Sequence, residues 1–305
     1  PMRGRLDALA SENRSVLADG WYRVSSHGSS AVLDVSNGSS ADGANVQLWR
    51  WDGVDQQVWR VSHDEKGYVS FRNAKSGKML DVNGGVASSG SNVQQYTANE
   101  SWAQKWIVVR NDNGMYTIQS ALAENLVLDV YSGSIQNGTN VQLYIANKTQ
   151  AQEWSLIKTD TLRERVDDLA LKHRDDLVDG TYVLGSANKN SVVLDVSSGS
   201  FVDGANVQLY QLNGTDAQKW QVAHDSDGYV TLTNVGSGKV LDVSGGLTAD
   251  RTNVQQYAGN RTWAQKWVAV RNDDGSYTFY SGLNDNKVLD MDNGATANGT
   301  NVQIY

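Results

Sequence analysis

The sequence predicts an all-β protein made of two tandem copies of one module, each copy holding three short repeats and each preceded by a short α-helix. Two periods predict this. The long one brings Arg3-Gly4-Arg5-Leu6-Asp7-Ala8-Leu9-Ala10 back as Arg163-Glu164-Arg165-Val166-Asp167-Asp168-Leu169-Ala170, and returns Trp59, Trp106 and Tyr144 as Trp220, Trp267 and Tyr305, 161 residues on. The short one repeats Leu33-Asp34-Val35 as Leu80-Asp81-Val82 and Leu128-Asp129-Val130, at intervals of 47 and 48 residues.

Each short repeat carries two further elements. One is Val46-Gln47-Leu48-Trp49, Val93-Gln94-Gln95-Tyr96 and Val141-Gln142-Leu143-Tyr144; the other is Gln57-Val58-Trp59, Gln104-Lys105-Trp106 and Gln152-Glu153-Trp154. The second module repeats these with Asp195, Asp242 and Asp290, with Tyr210, Tyr257 and Tyr305, and with Gln218/Trp220 and Gln265/Trp267. Runs such as Tyr68-Val69-Ser70-Phe71 alternate apolar and polar residues, the period of a half-buried strand. Asn113-Gly114, Asp227-Gly228 and Asp274-Gly275 mark turns between them. Four strands per repeat make twelve per module.

The leaders have a different texture. Residues 161–177 are charged and free of Gly and Pro, with apolar Leu162, Val166, Leu169 and Leu177; Met2, Leu6, Leu9 and Leu17 match them in the first module. Spacings of three and four predict an amphipathic helix ending near Gly20 and Gly180. Such a helix either packs on its own β domain or self-associates as a short coiled-coil stalk with Asn13 and His173 at core positions. The expected organisation is a helical leader over 1–18, a β domain over 19–160, a helical linker over 161–178, and a second β domain over 179–305 that lacks its last strand, the whole reading as a piece of a longer polypeptide.

Composition excludes several functions. The net charge of −8, with no run of Lys or Arg, disfavours nucleic-acid and anionic-membrane partners, which need a basic footprint. No stretch approaches the roughly 18 apolar residues of a membrane span, so no membrane insertion is expected. Cysteine is absent, which removes disulfides, thiolate metal sites and a cysteine nucleophile. Ten Trp and thirteen Tyr stand against three Phe, a bias toward rings that join an apolar face to a polar tip.

The five Gln-x-Trp triplets, each following a Leu-Asp-Val and a Val-Gln-x-aromatic element at fixed spacing, resemble the ricin B-chain lectin family over nearly the whole chain. The resemblance implies two tandem β-trefoils: six-stranded barrels capped by three hairpins, with pseudo-threefold symmetry. It places one Trp per repeat around the threefold axis. Burying each removes roughly 150–250 Å² from water, a gross gain of roughly 4–6 kcal/mol. The Gln of each triplet needs hydrogen-bond partners once buried, neighbouring backbone among them.

The resemblance also implies a shallow sugar pocket per repeat, in which an Asp bonds two neighbouring hydroxyls and an aromatic ring stacks on the sugar. Carried onto this sequence, the pairs are Asp34/Trp49, Asp81/Tyr96, Asp129/Tyr144, Asp195/Tyr210, Asp242/Tyr257 and Asp290/Tyr305, with Gln47, Gln94, Gln142, Gln208, Gln255 and Gln303 two residues before each ring. An ionised carboxylate takes two adjacent hydroxyls by charge-assisted bonds, and a ring face binds the apolar side of a pyranose, so together they select an orientation. In the family an Asn that touches the sugar precedes the Gln of Gln-x-Trp. Here that position holds Gln56, Ala103, Ala151, Ala217 and Ala264, so the galactose preference of the family loses a contact at four of five sites. Asp34/Trp49, with Gln56 beside it, is the site expected to be best equipped.

The function expected is non-catalytic binding of polymeric or surface glycans by avidity, outside the cell or on its surface, with a bacterial texture to the sequence. No cofactor or metal is implied. The acids recur one per repeat in equivalent settings, whereas acid–base catalysis needs unlike groups close together. His27 and His173 have no partner signal in the sequence, and His63 and His224, near hairpin turns, are expected to be solvated. The alternative is a structural or protein-binding array with degenerate sugar sites.

Overall fold

The computed structural model describes residues 1–27 and 29–305, which divide into two compact units, Pro1–Thr161 and Leu162–Tyr305. Unit 1 begins with α1 (Met2–Asn13) and continues through β1 (Gly20–Ser26), β2 (Ala31–Val35), β3 (Val46–Arg50), β4 (Trp59–His63), β5 (Val69–Asn73), β6 (Met79–Val82), β7 (Val93–Tyr96), β8 (Trp106–Arg110), β9 (Tyr116–Ser120), β10 (Leu126–Val130), β11 (Val141–Ile145) and β12 (Trp154–Lys158). Antiparallel pairing runs β1–β4–β5–β8–β9–β12 and back to β1, which closes a six-stranded barrel. The hairpins β2–β3, β6–β7 and β10–β11 cap it, one per repeat. This is the β-trefoil that the resemblance implied. Closure leaves the barrel with no exposed edge.

The core follows from the repeat. Trp59, Trp106 and Trp154 open β4, β8 and β12 and are fully buried; each indole Nε1 donates to the carbonyl of Leu33, Leu80 or Leu128, at 3.2, 3.2 and 3.1 Å. Apolar burial is thus obtained without an orphaned donor. A polar ring seals the hairpin cap: Asn45 Nδ2 donates to Asn140 Oδ1, Asn140 Nδ2 to Asn92 Oδ1 and Asn92 Nδ2 to Asn45 Oδ1, each at 2.9 Å.

Unit 2 repeats the plan with α2 (Leu162–Lys172), β13 (Gly180–Tyr182), β14 (Gly185–Ser186), β15 (Lys189–Val196), β16 (Val207–Gln211), β17 (Trp220–His224), β18 (Val230–Asn234), β19 (Val240–Val243), β20 (Thr252–Tyr257), β21 (Trp267–Arg271), β22 (Tyr277–Ser281), β23 (Leu289–Met291) and β24 (Thr300–Ile304). Its barrel pairs β13–β17–β18–β21–β22 and stops there, because among the described residues no strand corresponds to β12. The first strand, continuous as β1 where β12 holds it, is split here into β13 and β14. A cavity of about 190 Å³ lined by Leu184, Leu194, Phe279 and Met291 remains beside the gap.

The helices are shorter than the apolar spacing predicted. They end at Asn13 and Lys172 rather than near Gly20 and Gly180, because Leu17 and Leu177 belong to the barrel cores and not to a helical face. Each helix packs on its own trefoil: Leu6 and Ala10 bury against Tyr68, Ile107 and Ala121, and Val166 and Ala170 against Tyr229 and Val268. The coiled-coil stalk is therefore corrected. The apolar seam is already covered, Asn13 Nδ2 caps the Leu9 carbonyl at 2.9 Å, and His173 Nδ1 lies 2.8 Å from Asp176. Arg3 stacks 3.5 Å over Trp102 and Arg163 3.7 Å over Trp263, while Tyr68 and Tyr229 donate their hydroxyls to Asp7 and Asp167 at 2.7 and 2.6 Å.

Candidate functional site

In each capping hairpin the strand register puts the repeated Asp directly across from the repeated Gln. Asp129 faces Gln142 across β10–β11, and Asp81 and Asp242 face Gln94 and Gln255 in their own hairpins. Side chains two apart share a face of a strand, so the ring at Tyr144, two past Gln142, comes to the same side as Asp129. The Gln amides donate to the acids: Gln142 Nε2 to Asp129 Oδ1, Gln94 to Asp81 and Gln255 to Asp242, all at 2.9 Å. Gln47 on Asp34, Gln208 on Asp195 and Gln303 on Asp290 do the same at 3.0–3.1 Å. These six Gln residues therefore position the acid.

In three of the five Gln-x-Trp triplets the Gln takes the second oxygen. Gln104 Nε2 donates to Asp81 Oδ2 and Gln152 Nε2 to Asp129 Oδ2 at 3.0 Å, and Gln265 Nε2 to Asp242 Oδ2 at 3.1 Å. Backbone completes the set as the sequence suggested: the same amides also reach the Thr97, Ile145 and Ala258 carbonyls, and their Oε1 atoms accept the backbone N–H of Asn99, Asn147 and Asn260. Asp290 in unit 2 has, among the described residues, only its Gln303 bond of this pair.

The acids are deeper than a shallow cup requires. Asp34, Asp81, Asp129, Asp195 and Asp242 are only 3–5% exposed, and burial pushes the Asp34, Asp81 and Asp242 carboxyls above the usual carboxylate range against the pull of their Gln donors. The rings are not buried: Tyr96, Tyr144, Tyr210 and Tyr257 are 39–42% exposed. Acid and ring meet in open cavities. Asp129 and Tyr144 line one of about 610 Å³, and Asp242 and Tyr257 one of about 500 Å³. A carboxylate oxygen with one amide bond keeps acceptor capacity for a further hydroxyl.

Two features differ from the sequence reading. At Asp34/Trp49, Lys75 Nζ and Gln56 Oε1 lie 2.5 and 3.1 Å from where a Cβ on Gly38 would stand, and Gly38 is buried. The floor turn of that cup is covered by a lysine from a non-repeated position, so the site expected to be best equipped is the more obstructed one. Sequence reasoning also missed the loop Asn three residues past four of the rings. Asn147 and Asn260 line the two cavities, with Oδ1 accepting the N–H of Thr149 and Thr262 and Nδ2 available as a donor. The constant spacing Tyr144/Asn147, Tyr257/Asn260, Tyr96/Asn99 and Tyr210/Asn213 was the signal that carried it.

The histidines lie elsewhere, and His63 and His224 are paired rather than solvated. His63 Nδ1 stands 2.6 Å from Asp19 and His224 Nδ1 2.5 Å from Asp179, with little ring exposed, while His27 Nδ1 lies 2.9 Å from Glu153 without hydrogen-bond geometry. Among the described residues no cluster of three His, Cys, Asp or Glu could hold a metal ion, and no helix is long and apolar enough to cross a membrane.

A six-stranded barrel, capped by three hairpins that each set a buried acid beside an exposed ring, defines the β-trefoil lectin class. The chain belongs to the ricin-type β-trefoil lectin domain-like family, whose model matches residues 55–144, 102–210 and 216–305. Carbohydrate binding is the general function which that membership assigns. Among solved structures the chain is similar to a mosquitocidal holotoxin, at 21% identity and a TM-score of 0.53, over 94% of this chain and 33% of that one. The chain thus spans a third of the holotoxin's length. It is also similar to the Rhizoctonia solani agglutinin (30% identity, 47% of this chain and 97% of that one, TM-score 0.42) and to the Macrolepiota procera ricin B-like lectin solved in complex with lactose (18%, 47% and 99%, 0.41). No curated protein matches the chain.

Proposed function

We propose that the chain binds neutral glycans without acting on them chemically, through the Asp129/Tyr144 and Asp242/Tyr257 cups first. The observation that carries this reading is the pairing of a two-amide-anchored carboxylate with a solvent-facing ring in one open cavity, repeated in both units. The carboxylate and the Asn147 or Asn260 amide supply an acceptor and a donor for adjacent hydroxyls; the Tyr face takes the apolar side of the sugar. Galactose-type sugars are the first candidates by family. The Asp129 and Asp242 acids have near-identical environments in separate cups, which gives no unlike pair for acid–base work. Single shallow sites are weak, and two or more on one chain gain by avidity on a polymeric or surface-bound glycan, which suits action outside the cell.

A glycan array followed by calorimetry tests this. Binding to a polymeric glycan is expected to fall at least tenfold in Tyr144→Ala and to vanish in the double variant with Tyr257→Ala. Silence across a broad array from a folded chain refutes it. That silence favours the second reading, a protein-binding or spacer array, which the Ala residues at 103, 151, 217 and 264 and the depth of the acids support.

A further inference from the structure

Unit 1 has a second concavity on the far side of the loop that walls the Asp129 cup. It measures about 570 Å³ and lies between the β8–β9 hairpin turn at residues 111–115 and the loop at residues 146–149; Thr149 lines both it and the cup. That volume is within the usual range for small-molecule sites, roughly 300–1,000 Å³. Leu9 of α1, Val109 and Val127 line it with apolar surface.

Two polar groups in this cleft differ from their counterparts in the neighbouring repeats. Gln119 lines it and is 9% exposed; its Nε2 is sealed from solvent with no hydrogen-bond partner in the protein, and a half-turn of the amide about its last torsion presents that donor to the cleft. A buried donor without an acceptor is costly, and native interiors rarely keep one. The same position holds Arg72 in the second repeat, whose Nε donates to the Gly77 carbonyl at 2.9 Å, and Tyr280 in unit 2. Glu153 is the second group. Its Oε1 accepts Asn113 Nδ2 at 2.9 Å, and its Oε2 lies 2.9 Å from His27 Nδ1. In the second repeat that position is Lys105, which donates to Asp64 at 2.8 Å across the corresponding cleft. The third repeat therefore replaces a cross-cleft ion pair with a fixed acceptor and an unsatisfied donor over an apolar lining.

We propose that this cleft binds the N-acyl group of an amino sugar, as a subsite beside the Asp129/Tyr144 cup. An acetamido group carries the three complements: a carbonyl for Gln119 Nε2, an N–H for the Glu153 carboxylate, and a methyl for Leu9, Val109 and Val127. A plain hydroxyl offers neither the carbonyl nor the methyl, and a free amine brings a cation and no acceptor for Gln119. The proposal extends the cup reading to a substrate class, N-acetylated glycans, but the cleft is read out separately from the cup.

The test is side-chain NMR of the full chain titrated with N-acetylglucosamine, and with glucose as the sugar lacking the acyl group. The Gln119 side-chain amide is expected to shift with the first sugar and not with the second, and to keep shifting in Tyr144→Ala. In Gln119→Leu, at least a tenfold preference for an N-acetylated over a non-acetylated oligosaccharide is expected to collapse to near parity. If the Tyr144 ring responds and Gln119 does not, the cleft is refuted and the cup stands. If Gln119 alone responds, the cleft stands and the cup reading fails. If neither responds, both fail.

Discussion

Gln104 Nε2 donates to Asp81 Oδ2 at 3.0 Å, so the residue that opens the buried Gln-x-Trp triplet also holds the acid of the cup. Gln152 and Gln265 hold Asp129 and Asp242 in the same way. Two residues along from each Gln, a Trp anchors the barrel core. The family signature is therefore one short rod with the core at one end and the binding acid at the other. Core packing and acid placement are coupled through it.

Gln152→Met tests that coupling. The volume is nearly kept, but Asp129 Oδ2, the Ile145 carbonyl and the Asn147 N–H lose a partner. A loss of about 1–3 kcal/mol is expected in urea denaturation of residues 1–161, from the buried polar groups left unpaired. Glycan binding at the Asp129 cup, isolated in the Tyr257→Ala background, is expected to weaken when Gln152→Met is added, read by calorimetry. Unchanged binding there means that the acid needs no such anchor.

The acids also set a pH dependence. Burial holds Asp81 and Asp242 above the ordinary value of 3.8, and only the ionised form accepts two hydroxyls. As pH falls through the raised value the carboxyls take up protons, so binding through these two cups is expected to be lost with a midpoint above 3.8. Stability runs the other way for these groups. Between 3.8 and the raised value the folded state holds the proton more tightly than the unfolded one, so they cost stability as pH rises through that window. Asp42 and Asp203 are opposite: hydrogen bonds from Lys78 and Lys239 hold their carboxyls low, and their contribution is lost as pH falls through the lowered values. Calorimetric binding against pH checks the first statement; a midpoint at or below 3.8 contradicts it.

The open barrel of unit 2 gives a comparison within one chain. Trp220 and Trp267 are fully buried, but residues 162–305 supply no third core Trp, Trp263 lying exposed, and no strand between β13 and β22. Losing a core Trp costs about 3–5 kcal/mol. Fragment 162–305 is expected to unfold at a clearly lower urea concentration than fragment 1–161. A synthetic peptide of residues 146–158, the β12 segment of unit 1, is expected to narrow the difference when added in excess, because its Trp154 and edge hydrogen bonds fit the gap. Equal midpoints without peptide show that the gap costs little.

The repeat made the trefoil legible. Trp59, Trp106 and Trp154 recur at one spacing because each fills the same place about one axis, and the interval of 13 residues from Asp to Gln encodes their facing positions in the hairpin. The Asn45, Asn92 and Asn140 ring was written in the same repeats, yet each Asn side chain bonds the other two across repeats, so no single repeat displays its purpose. Lys75 over the Asp34 cup was not legible, because it comes from a position without threefold copies. The depth of the acids was hidden for another reason: their partners are two amides from different elements, and sequence spacing shows which residues recur but not how far each is sunk. Leu17 and Leu177 misled the helix ends because barrel residues happened to continue a helical spacing.

The fit of each leader helix depends on a turn glycine. Gly67, in the β4–β5 turn at φ +92°, would place an added Cβ 2.4 Å from the Ala10 carbonyl oxygen; Gly228, at φ +89°, would place one 2.6 Å from Ala170 oxygen. These are backbone atoms, so no rotamer change relieves the contact, and the positive φ adds strain of its own. Gly114 occupies the same turn one repeat later, at φ +83°, with nothing within 4 Å. Gly67→Ala and Gly114→Ala therefore share the conformational strain and differ in the collision with α1. Both are expected to lose stability, about 1–3 kcal/mol for the strain, while only Gly67→Ala is expected to lose hydrogen-exchange protection across residues 6–13 and the Arg3 contact with Trp102. If both variants leave the helix equally protected, the close approach at Gly67 is not what seats it. If both release it, turn geometry rather than contact with Ala10 governs the docking.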